Sequence, residues 1–305
     1  MKKIAITGVG GFVGSHVYNY FKSAGYEILL ISSSHKVIEE NETLSLDTLK
    51  SDDLVGVDVI VHCAGIAHRK DSHDMAAFNE YFEFNSLKTI DLFNKCKNAN
   101  VKRFIYLSSA NVCRPIDNIV SSASELLPLD INSFSKVVSE RMIQLSADNN
   151  IDFTIIRCPL VYGVGVKGNF STMMKLVDKA KILPFGCFGN VKKSMVSIYN
   201  LLDLINVCAV NPKAANQIFM ISDEDDVSVL ELTRTLATLK GKRIFMLPIP
   251  ISLLSFLGLL VGKRKLMKNI SMNFRLDIDH TTRTLGWHPP YGLEQSLSKF
   301  INKKQ

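Results

Sequence analysis

Apolar positions along the chain follow two rhythms. Short, nearly continuous runs at 4–6, 26–31, 57–62, 103–107 and 152–157 read as strands covered on both faces, since such a strand has no polar side to show. A briefer run at 44–47 reads the same way. Between them lie stretches with apolar residues three and four apart, at 15–22, 75–98 and 135–148. The last sends Val137, Val138, Met142, Ile143 and Leu145 toward a sheet. Strand and helix signals in alternation predict an α/β fold with a doubly wound parallel sheet.

Beyond residue 163 the rhythm loosens into helices at 171–181, 200–210, 228–240 and 293–301 and a strand at 217–221. The expected organisation is a nucleotide-binding domain over 1–162, rejoined by 195–222, and a smaller substrate-binding lobe from 163–194 and 223–305. No internal repeat or low-complexity run interrupts it.

The first strand breaks into Thr7-Gly8-Val9-Gly10-Gly11-Phe12-Val13-Gly14 and then a helix. A strand, a glycine turn and a helix point free N–H groups and the positive end of a helix dipole at the turn, which suits a pyrophosphate. Gly8, Gly11 and Gly14 would serve the tight turn, the approach of phosphate and helix packing, a Rossmann-like arrangement. The second strand ends in Ser32-Ser33-Ser34-His35-Lys36, with no acid before Glu39. Small polar and basic residues there put NADP ahead of NAD, because an acid is what a free ribose 2′-hydroxyl needs. Asp47 either meets the adenine amino group or stands as an exposed loop acid.

Composition narrows the partners. Hydrophobic residues make up 47% and charged ones 21%, as in a globular protein, and the net charge of +7 suits an anionic ligand. Nucleic acid is not expected, because the densest basic cluster, Lys263-Arg264-Lys265 with Lys268, has no interleaved aromatics. Six scattered cysteines form no Cys-x-x-Cys pair and read as reduced thiols of a cytoplasmic protein. No metal constellation is apparent. The stretch 244–262 carries no charge, but Pro248 and Pro250 leave only 251–261 as helix, too short to span ~30 Å of hydrocarbon. It reads as a buried or substrate-side helix, with membrane contact at most peripheral.

Taken together, the glycine turn, Val61-His62-Cys63-Ala64-Gly65, Asn85, Tyr106-Leu107-Ser108-Ser109, Arg157-Cys158-Pro159-Leu160-Val161-Tyr162-Gly163 and the Leu285-Gly286-Trp287 tail resemble one family over nearly the whole chain. It is the extended short-chain dehydrogenase/reductases, which include the nucleotide-sugar epimerases, dehydratases and reductases. Segments 163–170, 183–186 and 194–201 look most like bacterial enzymes acting on UDP-linked 4-keto-6-deoxy-N-acetylhexosamines in surface polysaccharide synthesis.

The resemblance implies hydride exchange between a nicotinamide and a sugar carbon, usually C4, by an oxidoreductase or epimerase that works alone or as a homodimer. It places NADP or NAD against Gly8, Gly11, Phe12, Val13 and Gly14, with Ser32, Ser33 and Asp47 toward the adenosine. Ala64, Gly65, Lys136 and Cys158 follow along the cofactor. For the UDP-sugar it implies His68, Ser109, Tyr162, Asn169 and Lys193, the last giving a point charge where an arginine is usual. Ser109 would bond the sugar oxygen, and Lys136 would bind the nicotinamide ribose and lower the pKa of a tyrosine four residues earlier.

That tyrosine is missing: Asn132 stands in its place, in Asn132-Ser133-Phe134-Ser135-Lys136. An amide has no proton to exchange near neutral pH. Three expectations follow: another group such as Tyr162, His68 or a water held by Asn132 delivers the proton; turnover is slow; or the chain binds cofactor and sugar without turning them over.

Overall fold

The computed structural model describes residues 2–33, 37–38, 41–66, 75–117, 119–260 and 270–302. Seven strands form the central sheet: β1 (Lys3–Thr7), β2 (Glu27–Ser32), β3 (Leu44–Ser45), β4 (Val59–His62), β5 (Arg103–Ser109), β6 (Asp152–Cys158) and β7 (Gln217–Met220). Their order is β7-β6-β5-β4-β1-β2-β3, every neighbour parallel. Side chains along a strand alternate between faces, so each strand feeds two apolar layers. Ile4, Ile6 and Ile105 enter the layer under α1 (Phe12–Ser23) and α6 (Ile198–Val210). Ala5, Phe104 and Tyr106 enter the opposite layer, under α3 (Lys88–Asn98) and α4 (Ile131–Ser146).

The chain builds outward from β1 to β3, then crosses back to β4 on the other side of β1. That reversal leaves a crevice at the carboxyl ends of β1 and β4, where open α/β sheets bind ligands.

Three predicted elements differ in detail. The continuous helix expected at 75–98 is α2 (Met75–Tyr81), a π-helical turn at Phe82–Leu87, and α3. The wider turn lets two consecutive residues face α4: Asn85 Nδ2 donates to Ser135 Oγ at 3.0 Å and Ser86 Oγ to the Ser135 carbonyl at 2.8 Å. Helix α4 starts earlier than expected because Asp130 caps it, accepting from the Ser133 N–H at 2.8 Å. Asn132 therefore lies in its first turn. The third strand ends at Ser45, which leaves Asp47 in the turn beyond it.

Away from the sheet, Leu160–Tyr162 pairs with Met195–Ser197, and Ile182–Leu183 pairs with Phe245–Met246. One apolar cluster gathers Tyr162, Phe170 and Met174 with α7 (Val229–Leu239), and a second gathers Leu183, Phe185 and Phe188. Helix α8 (Ile251–Leu260) covers the second with Ile251 and Leu254. The expectation of a buried helix is corrected here, for Leu253, Phe256 and Leu259 are exposed. A helix apolar on every side has had one side covered. No helix among the described residues is long and apolar enough to cross a membrane.

Candidate active site

The glycine turn folds as its spacing requires. Gly8 takes φ +71°, and a Cβ on it would stand 2.7 Å from the Ala64 nitrogen. A Cβ on Gly14 would collide with the Gly8 carbonyl, whereas Gly10 faces open space. Gly11 starts α1 without a side-chain cap, and its N–H donates to the Gly8 carbonyl at 2.9 Å. The first N–H groups of the helix, from Phe12, Val13 and Gly14, thus lie at the carboxyl edge of the sheet with no capping acceptor.

Thr7 binds this turn to the next strand: its Oγ1 accepts from the Ala64 N–H at 3.1 Å and bonds His62 Nδ1 at 2.7 Å. The other ring nitrogen, Nε2, meets Thr89 Oγ1 at 2.9 Å, and the imidazole stacks on Tyr106. Burial, with Lys136 as a lesser cause, lowers the His62 pKa to about 3, so the ring is neutral. In an unfolded chain it would take up a proton near pH 6.5, so the unfolded state gains protons as the pH falls from there toward 3. Stability therefore declines over that window. Urea unfolding of the wild type should lose about 2 kcal/mol between about pH 7 and about pH 5 from this group, and His62→Gln should flatten the loss.

Beyond Ala64, the exposed Gly65 meets Asn85 and Lys136. A Cβ there would lie 3.4 Å from Asn85 Oδ1 and 3.6 Å from Lys136 Nζ. Asn85 holds the loop twice, accepting from the Ile66 N–H at 2.8 Å and donating to its carbonyl at 3.1 Å. The same Nδ2 lies 3.3 Å from Asn132 Oδ1. Lys136 Nζ donates to the Leu107 carbonyl at 3.0 Å and sits over the Tyr106 ring, 3.5 Å from its hydroxyl. Ser109 closes β5, with Oγ accepting from the Asn111 N–H at 3.2 Å, beside Cys158 in register on β6. Burial pushes the Cys158 thiol up to about 12, so it faces the site as a neutral group.

The fold thus brings together the glycine turn, Ala64, Gly65, Asn85, Ser109, Asn132, Lys136 and Cys158 at one edge of the sheet. Neither Ser133 nor Phe134 replaces a phenol: Ser133 is buried on the Asp130 cap, and Phe134 packs beside Phe78.

Other candidates lie elsewhere or are otherwise occupied. Tyr162, expected at the sugar and as a possible proton donor, is fully buried: its ring stacks on Phe170 and its hydroxyl donates to Asp223 at 2.6 Å. Desolvation and the Asp223 carboxylate raise its pKa, which removes it as a proton donor. Ser32 is buried against Thr43 Oγ1 at 3.0 Å, leaving Ser33 as the exposed hydroxyl at the end of β2. Asp47 pairs with Lys88 at 2.6 Å on the surface. Asn169 is exposed at the start of α5 (Asn169–Lys179), behind Gly168 at φ +80°. Lys192 pairs with Glu231, whereas Lys193 is half-buried with its pKa lowered by desolvation. His68, His35, Lys36, Glu39 and the 263–268 basic cluster lie outside the described residues.

Sequence reasoning gave no role to Thr7, His62 or Tyr106. The signal for Tyr106 was present, since strand alternation puts it two residues before Ser108 on the face toward α4. Nothing in the pattern marks Thr7.

Residues 4–216 match the model of the NAD dependent epimerase/dehydratase family. A UDP-glucose 4-epimerase of Vibrio cholerae is 36% identical over 98% of this chain and 94% of its own. Among solved structures, the UDP-N-acetylglucosamine 4-epimerase of Bacillus cereus superposes with a TM-score of 0.81 at 17% identity, covering 100% of both chains. MoeE5, solved in complex with UDP-glucose and NAD, gives 0.77 at 19% identity over 99% of this chain and 98% of its own.

Proposed function

The chain belongs to the NAD-dependent epimerase/dehydratase family, and from that premise we propose that it acts at C4 of a UDP-linked N-acetylated, 6-deoxy sugar destined for surface polysaccharide. The observation that carries this reading is the convergence of Lys136 Nζ, Gly65, Asn85 and Asn132 over an intact glycine turn, with Ser109 on the adjoining strand. The crevice suits a dinucleotide. Glycine at 8 and 14 lets the turn pack against Ala64 and close on itself, and uncapped N–H groups stand ready for an anion.

Bound nicotinamide supplies the hydride acceptor. The protein's part is to bind and orient. Lys136, fixed by the Leu107 carbonyl and the Tyr106 ring, presents a positive charge toward Gly65. Ser109 offers a hydroxyl to the sugar oxygen whose proton must leave. Asn132 holds a hydrogen-bonding position but exchanges no proton. The proton step is therefore slow. A second reading, a binder of cofactor and UDP-sugar without turnover, is favoured by that same amide.

For the cofactor we propose NAD, the dinucleotide in the MoeE5 complex, in place of the NADP that the end of β2 suggests in the sequence. Ser32, one of the hydroxyls expected beside the adenosine, is buried and engaged by Thr43. Calorimetry should give a Kd for NAD roughly tenfold or more below that for NADP, a difference of about 1.4 kcal/mol. Incubation with UDP-N-acetylglucosamine or UDP-glucose in the presence of NAD, or with the 4-keto-6-deoxy derivative in the presence of NADH as hydride donor, followed by NMR at C4, tests the activity. Slow conversion supports the enzyme, and tight binding with no product over days supports the second reading. Absence of binding by either ligand sinks both.

A further inference from the structure

The outer lobe carries an apolar surface far from the crevice residues. Ile182 and Phe245 are register partners across the short strand pair and are 60% and 62% exposed. Their successors, Leu183 and Met246, point the other way, into the Phe185–Phe188 cluster. After Pro248 and Pro250 comes α8, whose only polar side chains are Ser252 and Ser255. Ile251 and Leu254 face the cluster, while Leu253, Phe256 and Leu259, three residues apart, share an outward face and are 48%, 57% and 51% exposed.

Cations border the Phe245 part of this surface. Lys181, Arg234, Lys242 and Arg243 line an open cavity of about 540 Å³ that also includes Phe245 and Met246. Asp178 pairs with Lys240 and Lys242, but Lys181, Arg234 and Arg243 have no ion pair among the described residues. Exposed aliphatic and phenyl groups beside unneutralised Lys and Arg are the chemistry of an interfacial element, in which apolar side chains enter the acyl boundary and the cations meet headgroup phosphates. A second copy brought to this face by a two-fold axis would set like charges against like, so the charge pattern disfavours a dimer here. The ten described residues of α8 rise about 15 Å, too little to cross the hydrocarbon.

We propose that this face docks the protein reversibly on a lipid surface bearing anionic headgroups, with Leu253, Phe256, Leu259 and Phe245 inserted and Arg234 and Arg243 at the phosphates.

The full chain is co-sedimented with vesicles of phosphatidylcholine alone and with vesicles containing about 30% phosphatidylglycerol. The expected result is binding to the anionic vesicles that weakens at about 0.5 M salt. Arg234→Gln with Arg243→Gln should reduce it roughly tenfold or more. Leu253→Ser with Phe256→Ser should abolish it with an unchanged melting curve, because the exchanged side chains are exposed. Lys102→Gln with Lys213→Gln, which removes equal charge elsewhere, should leave binding intact.

Four results would overturn the proposal: no binding, equal binding to both vesicle types, equal loss in the Lys102/Lys213 variant, or a lipid-free dimer in sedimentation velocity that Leu253→Ser with Phe256→Ser dissolves. The last would assign the face to a second copy.

Discussion

Replacing Asn132 by tyrosine should raise turnover of the UDP-sugar roughly 10²–10⁴-fold, the usual worth of a positioned general acid–base. Position 132 lies in the first turn of α4, and Lys136 lies one turn later on the same helix face. The Lys136 ammonium already stands in the site, held by the Leu107 carbonyl and over the Tyr106 ring. A phenol introduced beside it meets a positive charge that stabilises its anion and lowers its pKa. The substitution gives up one bond, Asn85 Nδ2 to Asn132 Oδ1 at 3.3 Å, and Asn85 keeps its contacts to Ile66 and Ser135. Cofactor affinity should therefore change little. Steady-state product formation at C4, measured beside NAD binding, is the check. Unchanged or reduced turnover with intact binding would mean that the proton travels by another route.

Removing Arg157 should cost about 3–5 kcal/mol of stability, the typical result of leaving one member of a buried ion pair alone. Arg157 on β6 and Glu140 on α4 are both buried, and the guanidinium meets the carboxylate through Nη2 at 2.7 Å and Nε at 3.2 Å. Ser108 Oγ donates to the same carboxylate, and Arg157 Nη1 reaches the Ser122 carbonyl at 3.2 Å. The cluster thus fixes the helix carrying Lys136 against the strand carrying Ser109. Urea unfolding of Arg157→Met should show the full loss. The double variant with Glu140→Leu should recover most of it, since a well-packed apolar pair can match an ion pair of similar volume. A double variant as unstable as the single one would show that the stabilisation comes from the bonds to Ser108 and Ser122 rather than from charge pairing.

The parts of the fold that were legible in the sequence are those where one local force dominates. Strands buried on both faces announce themselves as apolar runs, and the turn at Gly8 to Gly14 by the steric need for glycine. Lys136 was legible too, through the helix motif around it. Contacts made by groups distant in sequence were not. The family resemblance puts Tyr162 at the sugar, yet Asp223, sixty-one positions away in the chain, draws its hydroxyl inward. Ser32 is occupied by Thr43 for the same kind of reason. The exposure of α8 was hidden because an apolar sequence does not say which of its sides meets protein.

The widened turn at Phe82–Leu87 makes this part of the chain sensitive to length as well as to identity. Replacing Asn85 removes a few bonds at one point. A π turn takes about one residue more than an α turn, so deleting one residue between Phe82 and Leu87 would let the helix wind regularly with both flanks in phase, and only one of the two adjacent positions that now face α4 would keep that direction. Either the hold of Asn85 on Ile66 or the bond of Ser86 to Ser135 would be lost. The extra residue is thus what lets one helix both hold the loop and brace α4, and a one-codon loss would leave it able to do only one of the two.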